Sequence, residues 1–270
     1  MADSRAIGIF DSGVGGLTVA KAIHNLMPDE NLIYFGDTAH LPYGDKSDEA
    51  IVHFSKGIAS YLQEKHQIKA LLIACNSASA VAYNPLKSYL PESFPVYNVI
   101  DPVAAEIALT KPNSVVGVIG TRATINSGSY TQKIRTLEPS IDVSTLRTPL
   151  LVPLIEEGLA ESKIAHETLS YYLEQPELGD IDSLVLGCTH YPHIQKKVEE
   201  LSDGRFEVIN SPEIVAARVL KDLAARDLKN DSSHQGKLEF YVSDYTAVFE
   251  NIAQIMFGSN ITLVEENIWE

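Results

Sequence analysis

The chain has 270 residues, of which 45% are hydrophobic, and a formal net charge of −15. This length is comfortable for two domains, and a chain of this size buries an ample core without disulfide bonds. The acidic balance argues against a nucleic-acid or anionic-membrane partner, because those interfaces depend on clustered Lys and Arg. The sequence shows neither a signal peptide nor an apolar run near the roughly 20 residues that span a bilayer, so we expect a soluble, cytoplasmic protein.

Strand-like and helix-like stretches alternate along the chain. AIGIF (6–10) predicts a buried strand, and LTVAKAIHNLM (17–27) predicts the helix that follows it. NLIYF (31–35) predicts a second strand, with an amphipathic helix over 47–66 behind it. Further apolar runs predict strands at 70–74, 96–100, 115–120, 143–147, 183–187, 206–210, 239–243 and 261–264. Short strands of this kind are typical of parallel sheets covered by helices on both faces, which predicts an α/β fold.

A weak internal repeat suggests that these elements form two lobes. AIGIFDSG (6–13) and VVGVIGTR (115–122) both place a strand before a turn that carries glycine and a hydroxyl group, and each half of the chain has a cysteine later. We therefore predict two doubly wound, mainly parallel-sheet lobes related by pseudo-two-fold symmetry. Ligands of such sheets bind beyond the carboxyl ends of the strands, so the residues that directly follow strands are the site candidates. The polar stretch RDLKNDSSHQG (226–236) predicts a surface loop.

The only two cysteines of the chain occupy matched positions. Cys75 lies in LLIACNSASAV (71–81) and Cys188 in LVLGCTHYPHI (184–194), each just after a predicted strand. A cysteine that opens a helix lies near the positive end of the helix dipole, which lowers the thiol pKa from about 8.5 toward neutrality. His190 is placed to add positive charge or to relay a proton. Most free cysteines behave as small buried hydrophobes, but two of them in matched polar turns favour chemistry.

Three further segments offer groups for a substrate. DSGVGG (11–16) is a glycine-rich turn that lacks the Lys and Ser/Thr of a P-loop, so it favours a small carboxylate over a nucleotide. LPYG (41–44) predicts a turn that exposes backbone amides. Glu156 and Glu157, in VPLIEEG, are predicted to lie at a helix start near a proline.

Two thiols on opposite sides of one bound molecule form an arrangement that inverts a stereocentre. One sulfur, as a thiolate, removes a proton from carbon, and the other, as a thiol, returns a proton to the opposite face. The Cα–H of an amino acid is far less acidic than a thiol, and each pK unit of mismatch costs about 1.36 kcal/mol. The site must offset this by excluding water and by preorganised donors around the carboxylate. Asp11 and His190 are placed to steer protons to and from the two sulfurs.

Five motifs, FDSGVGGL, DTAHLPYG, ACNSASA, VPLIEEG and GCTHYP, occur in this order along the chain. In these motifs and their spacing the chain resembles the bacterial glutamate racemases of the cofactor-independent aspartate/glutamate racemase superfamily. The resemblance implies an isomerase that interconverts L- and D-glutamate and supplies D-glutamate for peptidoglycan, with neither pyridoxal phosphate nor a metal as cofactor. It also implies a first lobe of residues 1–97 plus 211–270 and a second lobe of residues 98–210, with the site in the cleft between them.

The resemblance implies a role for individual residues as well. Cys75 and Cys188 would be the two catalytic acid/bases, assisted by Asp11, Glu156 and His190. The substrate would be held by Asp11, Ser12, Pro42, Tyr43, Gly44, Asn76, Ser77, Thr121, Thr124, Thr189 and His190. Ser77 departs from the threonine that is usual in the family, which keeps the hydroxyl and removes a methyl group. The expected partner is the small-molecule substrate, without nucleic acid or membrane, and a homodimer is possible.

Four alternatives stay open at this point. The first is a racemase that acts on aspartate or on several amino acids with the same two cysteines. The second is a metal site of Cys75, Cys188, His190 and His193, although the C-x-H-x-x-H spacing is not a standard zinc signature and Pro192 is expected to start a helix that turns His193 away. The third is a redox disulfide, which requires Cα atoms within about 7 Å and leaves no room for a substrate. The fourth is a pair of non-catalytic binding lobes, which gives no reason for matched cysteines.

Overall fold

The computed structural model of the chain describes residues 3–230, 235–259 and 261–269. The strands of this part are β1 Ile7–Asp11, β2 Leu32–Gly36, β3 Ala70–Ile73, β4 Val96–Asn98, β5 Val115–Gly120, β6 Asp142–Arg147, β7 Ser183–Gly187, β8 Glu207–Ile209, β9 Leu238–Val242 and β10 Leu263–Glu265. Its α-helices are α1 Leu17–Leu26, α2 Asp48–His66, α3 Asn76–Val81, α4 Tyr83–Tyr89, α5 Ile100–Thr110, α6 Arg122–Asn126, α7 Ser129–Leu137, α8 Leu151–Glu156, α9 Lys163–Leu173, α10 Gln195–Ser202, α11 Ser211–Ala225 and α12 Ala247–Phe257. Every strand predicted from the sequence is present, within two residues of its predicted bounds.

The first sheet contains six parallel strands in the order β10-β9-β2-β1-β3-β4. Strands β1, β2 and β3 are buried along their whole length. Apolar clusters cover both faces of the sheet, which explains why these strands are nearly continuous aliphatic runs without alternation. Strand β9 pairs with β2, placing Leu238 beside Leu32, so the chain returns late to complete its first sheet.

The second sheet contains four parallel strands in the order β6-β5-β7-β8. Four strands of the first sheet, β2-β1-β3-β4, have the same order, so β3 and β7 occupy equivalent positions. Cys75 follows β3 and Cys188 follows β7. The α/β fold with two parallel sheets is confirmed, and the repeat is present in the strand order. The lobe boundaries at residues 97/98 and 210/211 stay a prediction.

One apolar cluster joins the two sheets. Helix α5 packs against both α7 and α11, and α11 packs in turn against α1. Ile9 and Leu72 of the first sheet belong to the same cluster of buried side chains as Val118 and Val185 of the second. The lobes are therefore held together by packing as well as by the connecting chain.

The prediction that Glu156 lies at a helix start is wrong. Glu156 is the last residue of α8, and Glu157 caps this end of the helix. Gly158 follows with a φ of 70°, the left-handed conformation that glycine adopts readily and that commonly terminates a helix. The proline of VPLIEEG lies inside the first turn, so the helix begins earlier than predicted and Glu156 comes at its end.

The surface loop predicted over 226–236 is only partly correct. Asn230 is buried, and its backbone N–H donates to Glu30 Oε1 at 2.7 Å. Residues 231–234 of this stretch lie outside the described residues. No helix in the described part of the chain is both long enough and apolar enough to cross a membrane.

Candidate active site

The carboxyl ends of the two sheets meet at one buried polar site. Asp11 is the last residue of β1, and Thr189 follows β7, yet Thr189 Oγ1 donates to Asp11 Oδ1 at 3.2 Å. Gly44 and Thr121 make a second close approach, because a Cβ atom on Gly44 would lie 2.5 Å from the Cβ of Thr121. Both contacts join a residue near the first sheet to one near the second. The site therefore lies where doubly wound sheets place their ligands.

Cys75 is buried beside an acidic residue. It caps the N-terminus of α3, and its thiol donates to Ser12 Oγ at 3.8 Å. Burial and the carboxylate of Asp11 raise the pKa of Cys75 to about 12, with a further contribution from Cys188. A hydrogen bond from the backbone N–H of Ala78 acts in the opposite direction but is outweighed. The expected lowering of this thiol pKa by the helix terminus is therefore wrong, because desolvation disfavours the thiolate more strongly.

Cys188 has a basic neighbour instead. Its sulfur lies 3.7 Å from His190 Nδ1, and the opposite ring nitrogen of His190 pairs with Glu156. Burial alone would lower the pKa of His190, but the hydrogen bonds to Cys188 and Glu156 hold this pKa well above its usual value. These bonds therefore favour the protonated imidazole, which places positive charge beside the sulfur.

The turn after Cys188 differs from the turn after Cys75. Cys188 does not open an α-helix as predicted, because a 3-10 helix begins only at Tyr191. The positive charge at Cys188 therefore comes from the His190 side chain and not from a helix terminus directly at the cysteine. The 3-10 helix includes Pro192, in agreement with a helical turn that starts near this proline.

The glycine-rich turn shapes the contact between the lobes. The backbone N–H of Gly13 donates to Asp11 Oδ2 at 2.9 Å, so both oxygens of this buried carboxylate have partners. A Cβ atom on Gly15 would lie 2.4 Å from Thr189 Oγ1 and 2.7 Å from His190 Nδ1. Only glycine fits this close approach without displacing them. The sequence indicated an anion-binding turn here and gave no sign of this second requirement.

Buried hydroxyl groups line the site between the turn that carries Cys75 and the turn that carries Cys188. Ser77 Oγ lies 2.9 Å from Thr121 Oγ1, and Thr121 Oγ1 donates to Thr124 Oγ1 at 3.1 Å. All three residues are buried. Ser77 belongs to α3, Thr121 caps the start of α6 and Thr124 lies in α6, so this chain of hydroxyls also crosses between the lobes.

Sequence reasoning missed Tyr130 as a member of the site. Its hydroxyl accepts a hydrogen bond from Asn76 Nδ2 at 2.9 Å, and the residue is buried. Tyr130 lies in α7, away from every motif, and only its apolar helix position could have indicated burial. It fixes the orientation of the Asn76 amide from the opposite lobe.

The loop over residues 41–44 reaches the site through its backbone. Pro42, which follows a cis peptide bond, is half-buried, and Tyr43 is buried. The Tyr43 hydroxyl donates to Asp37 Oδ2 at 2.6 Å, a residue outside the predicted site. Gly44 in this loop makes the close approach to Thr121 described above.

Two of the other arrangements considered from the sequence are a disulfide bond and a metal site. Cys75 and Cys188 are both free thiols in this structure. Among the described residues, no group of three or more His, Cys, Asp and Glu side chains is arranged to hold a metal ion. His190 is instead held between Cys188 and Glu156.

The fold and the site are those of a two-lobed α/β protein with paired thiols where its sheets meet. The sequence profile of the family described as Asp/Glu/hydantoin racemase matches residues 17–219. A glutamate racemase of Geobacter metallireducens is 42% identical over 257 residues, which cover 95% of this chain and 94% of that protein. The chain belongs to the Asp/Glu/hydantoin racemase family and is accordingly an isomerase of the amino-acid racemase class.

Solved structures agree with this assignment. The crystal structure of glutamate racemase from Francisella tularensis in complex with D-glutamate has a TM-score of 0.89 at 33% identity, covering 97% of both chains. A glutamate racemase isoform from Bacillus anthracis has a TM-score of 0.91 at 32% identity, again over 97% of both chains. The similarity therefore extends over both lobes.

Proposed function

We propose that this racemase interconverts L- and D-glutamate by two-base proton transfer at Cα, with Cys75 and Cys188 as the two bases. The observation that carries the proposal is the pair of free, buried thiols at the ends of equivalent strands. The full-length relatives named glutamate racemase, and the D-glutamate complex of one of them, support glutamate as the substrate. The D-glutamate formed would supply peptidoglycan synthesis, as the resemblance implies.

The two sulfurs are suited to a reaction with one proton donor and one proton acceptor. Cys75 holds its proton at neutral pH because its pKa is raised to about 12, so it serves as the acid in one direction. Cys188 starts as a thiolate beside the imidazole of His190 and serves as the base. When Cys188 takes the Cα proton from one face, Cys75 delivers a proton to the other face. Cys188 is then a thiol and Cys75 a thiolate, and the reverse reaction restores both.

Auxiliary groups return each sulfur to its starting state. Asp11, whose carboxylate raises the pKa of Cys75, is the group through which a proton reaches or leaves this sulfur. His190 and Glu156 form the corresponding pair for Cys188. Each cysteine therefore has its own proton route, one through a carboxylate and one through an imidazole.

The remaining groups lower the cost of the carbanion. The substrate carboxylate gains charge as Cα loses its proton, and preorganised donors stabilise that charge more in the transition state than in the ground state. Ser12, Asn76, Ser77, Thr121 and Thr189 are buried polar side chains near the two sulfurs and are the proposed donors. Burial of the site strengthens each such interaction, because little water competes for it.

Solvent deuterium incorporation tests the proposal. Each enantiomer of glutamate, incubated with the protein in heavy water, should give product labelled at Cα. The Cys75→Ala/Cys188→Ala double variant is the control for exchange that the thiols do not catalyse. Unlabelled product, or racemisation that survives in the double variant, would refute the two-base mechanism.

The identity of the substrate is tested separately. Aspartate racemised with a kcat/KM equal to or above that for glutamate would favour the aspartate or broad-specificity alternative. Localisation in the cytoplasm, a homodimeric state and the absence of a nucleic-acid partner stay predictions from the sequence.

A further inference from the structure

A second buried carboxylate lies at the carboxyl end of the first sheet. Asp37 directly follows β2 and is fully buried. It accepts hydrogen bonds from Tyr43 Oη at 2.6 Å, Ser243 Oγ at 2.8 Å and Trp269 Nε1 at 3.1 Å. His40 Nδ1 lies 3.0 Å from the same carboxylate. A carboxylate has room for several such donors, and each of these comes from a different segment or turn of the chain.

Tyr43, which donates to this carboxylate, connects it to the site through the 41–44 loop. Tyr43 precedes Gly44, the residue in close approach to Thr121 of the other lobe. The next residue, Asp45, forms an ion pair with Arg122 at 2.6 Å, again across the lobes. Tyr43 therefore connects the Asp37 carboxylate to the residues that meet the second lobe.

Trp269 holds the opposite side of the Asp37 carboxylate. Its ring packs on α2, where a Cβ atom on Gly57 would lie 2.7 Å from the indole, and it meets Phe54 edge-on at 5.4 Å. The ring also contacts His40 edge-on at 4.8 Å. This packing aims the single N–H of the indole at Asp37 Oδ1, while Tyr43 donates to Oδ2.

We propose that Asp37 and Trp269 are positioning residues for substrate binding. Trp269 fixes the Asp37 carboxylate, the carboxylate fixes Tyr43, and the 41–44 loop is thereby held against Thr121. The inference rests on the proposed function and on the implication of the family resemblance that Pro42, Tyr43 and Gly44 hold the substrate. Asp37 bonds to Trp269 and to Tyr43, so the effect of Asp37 and Trp269 falls on substrate binding and not on the proton-transfer steps.

The first experiment removes the indole N–H and leaves a smaller aromatic ring in its place. Trp269→Phe should raise KM for glutamate about tenfold while kcat changes less than about twofold, the pattern of lost binding that is uniform along the reaction. Tyr97→Phe is the matched control. Tyr97 lies on the edge strand β4, and its hydroxyl donates to Asp222 Oδ2 at 2.7 Å, so this variant also removes an aromatic donor from a carboxylate. The control should leave both constants unchanged. Equal KM values in Trp269→Phe and the wild type would overturn the inference.

The second experiment uses intrinsic fluorescence. The chain contains one tryptophan, so its emission reports Trp269 alone. Tyr43→Phe removes the hydroxyl bound to the far oxygen of Asp37, and we expect the emission maximum of Trp269 to shift. Unchanged emission in folded Tyr43→Phe would overturn the inference, with Tyr97→Phe again as the control.

These two experiments separate the inference from the proposed function. The emission measurement needs no substrate, so it decides the coupling through Asp37 even when glutamate is not turned over or when Trp269→Phe does not fold. Loss of glutamate racemisation in the wild type with a shifted emission in Tyr43→Phe would refute the function and support the coupling. Racemisation of glutamate by the wild type with unshifted emission in Tyr43→Phe would support the function and refute the coupling.

Discussion

The two cysteine turns share a topological position but differ in their electrostatic surroundings. Cys75 and Cys188 follow equivalent strands of two sheets with the same order. Asp11 lies beside the first sulfur and raises its pKa, whereas the protonated His190 lies beside the second. Equivalent backbone positions thus place a carboxylate beside one sulfur, whose pKa is raised, and an imidazole beside the other. Such an asymmetry is what a reaction with one proton donor and one proton acceptor requires in a single direction.

Removing either sulfur should have the largest effect on racemisation. Cys75→Ala and Cys188→Ala should each lower racemisation about 10²- to 10⁴-fold, the usual contribution of a positioned acid or base, as measured by kcat/KM for both enantiomers. Each variant should still eliminate the leaving group from one enantiomer of a β-substituted glutamate analogue, because elimination needs only one base. The two variants should retain opposite enantiomers. Equal loss of elimination from both enantiomers in each variant would contradict the assignment of one sulfur to each face.

The auxiliary groups should show the same division with a smaller effect. His190→Asn should slow proton abstraction by Cys188, and Asp11→Asn should slow abstraction by Cys75, each by roughly 10- to 100-fold. Isotope exchange at Cα, measured separately from each enantiomer, distinguishes the two. His166→Asn, an exposed histidine on α9, is the control for loss of an imidazole. Identical exchange profiles for the two variants would refute separate proton routes.

The stabilisation of the fold by the His190–Glu156 pair depends on pH in a definite direction. Because the folded-state pKa of His190 is raised, the pair stabilises the fold fully below the unfolded value of about 6.5, and this stabilisation is lost as pH rises through the folded-state pKa. Glu156→Gln should lower the pKa of His190, as followed by NMR of the imidazole. It should also reduce the pH dependence of the free energy of unfolding on the alkaline side. An unchanged imidazole titration would show that Glu156 does not hold the proton on His190.

Gly15 is the point where the glycine-rich turn after β1 meets the turn that carries Cys188. Gly15→Ala should destabilise the fold by about 1–3 kcal/mol, because the added Cβ atom would overlap Thr189 and His190 across the lobes. Thermal unfolding measures the change in stability. Gly179→Ala is the matched control, since its nearest neighbour lies 3.4 Å away and its φ is −66°. Equal stability of the two variants would mean that the lobes separate at little cost.

The sequence predicted the strands and the matched cysteines because both are local signals. The aliphatic runs before Cys75 and Cys188 show buried strands directly, and the residues after a parallel strand lie at the ligand-binding edge. The raised pKa of Cys75 was predicted with the wrong sign, because it depends on burial and on Asp11, which is distant in sequence. Tyr130 was missed for the same reason, since its contact with Asn76 exists only in the folded chain.

The smallest expected effect concerns the acidity of Cys75. Asp11→Asn and Cys188→Ala should both lower the pKa of Cys75, and Asp11→Asn should lower it more, because Asp11 contributes more than Cys188 to raising it. NMR of isotope-labelled cysteine follows the titration of this thiol. Wild-type Cys75 should remain a thiol at every pH where the fold persists, whereas the variants should begin to ionise at lower pH. Ser60→Ala, which changes a hydroxyl on α2, should leave the titration unchanged. If Cys75 titrates alike in all of these proteins, burial alone determines its acidity, and the acidic neighbour does not distinguish the two turns.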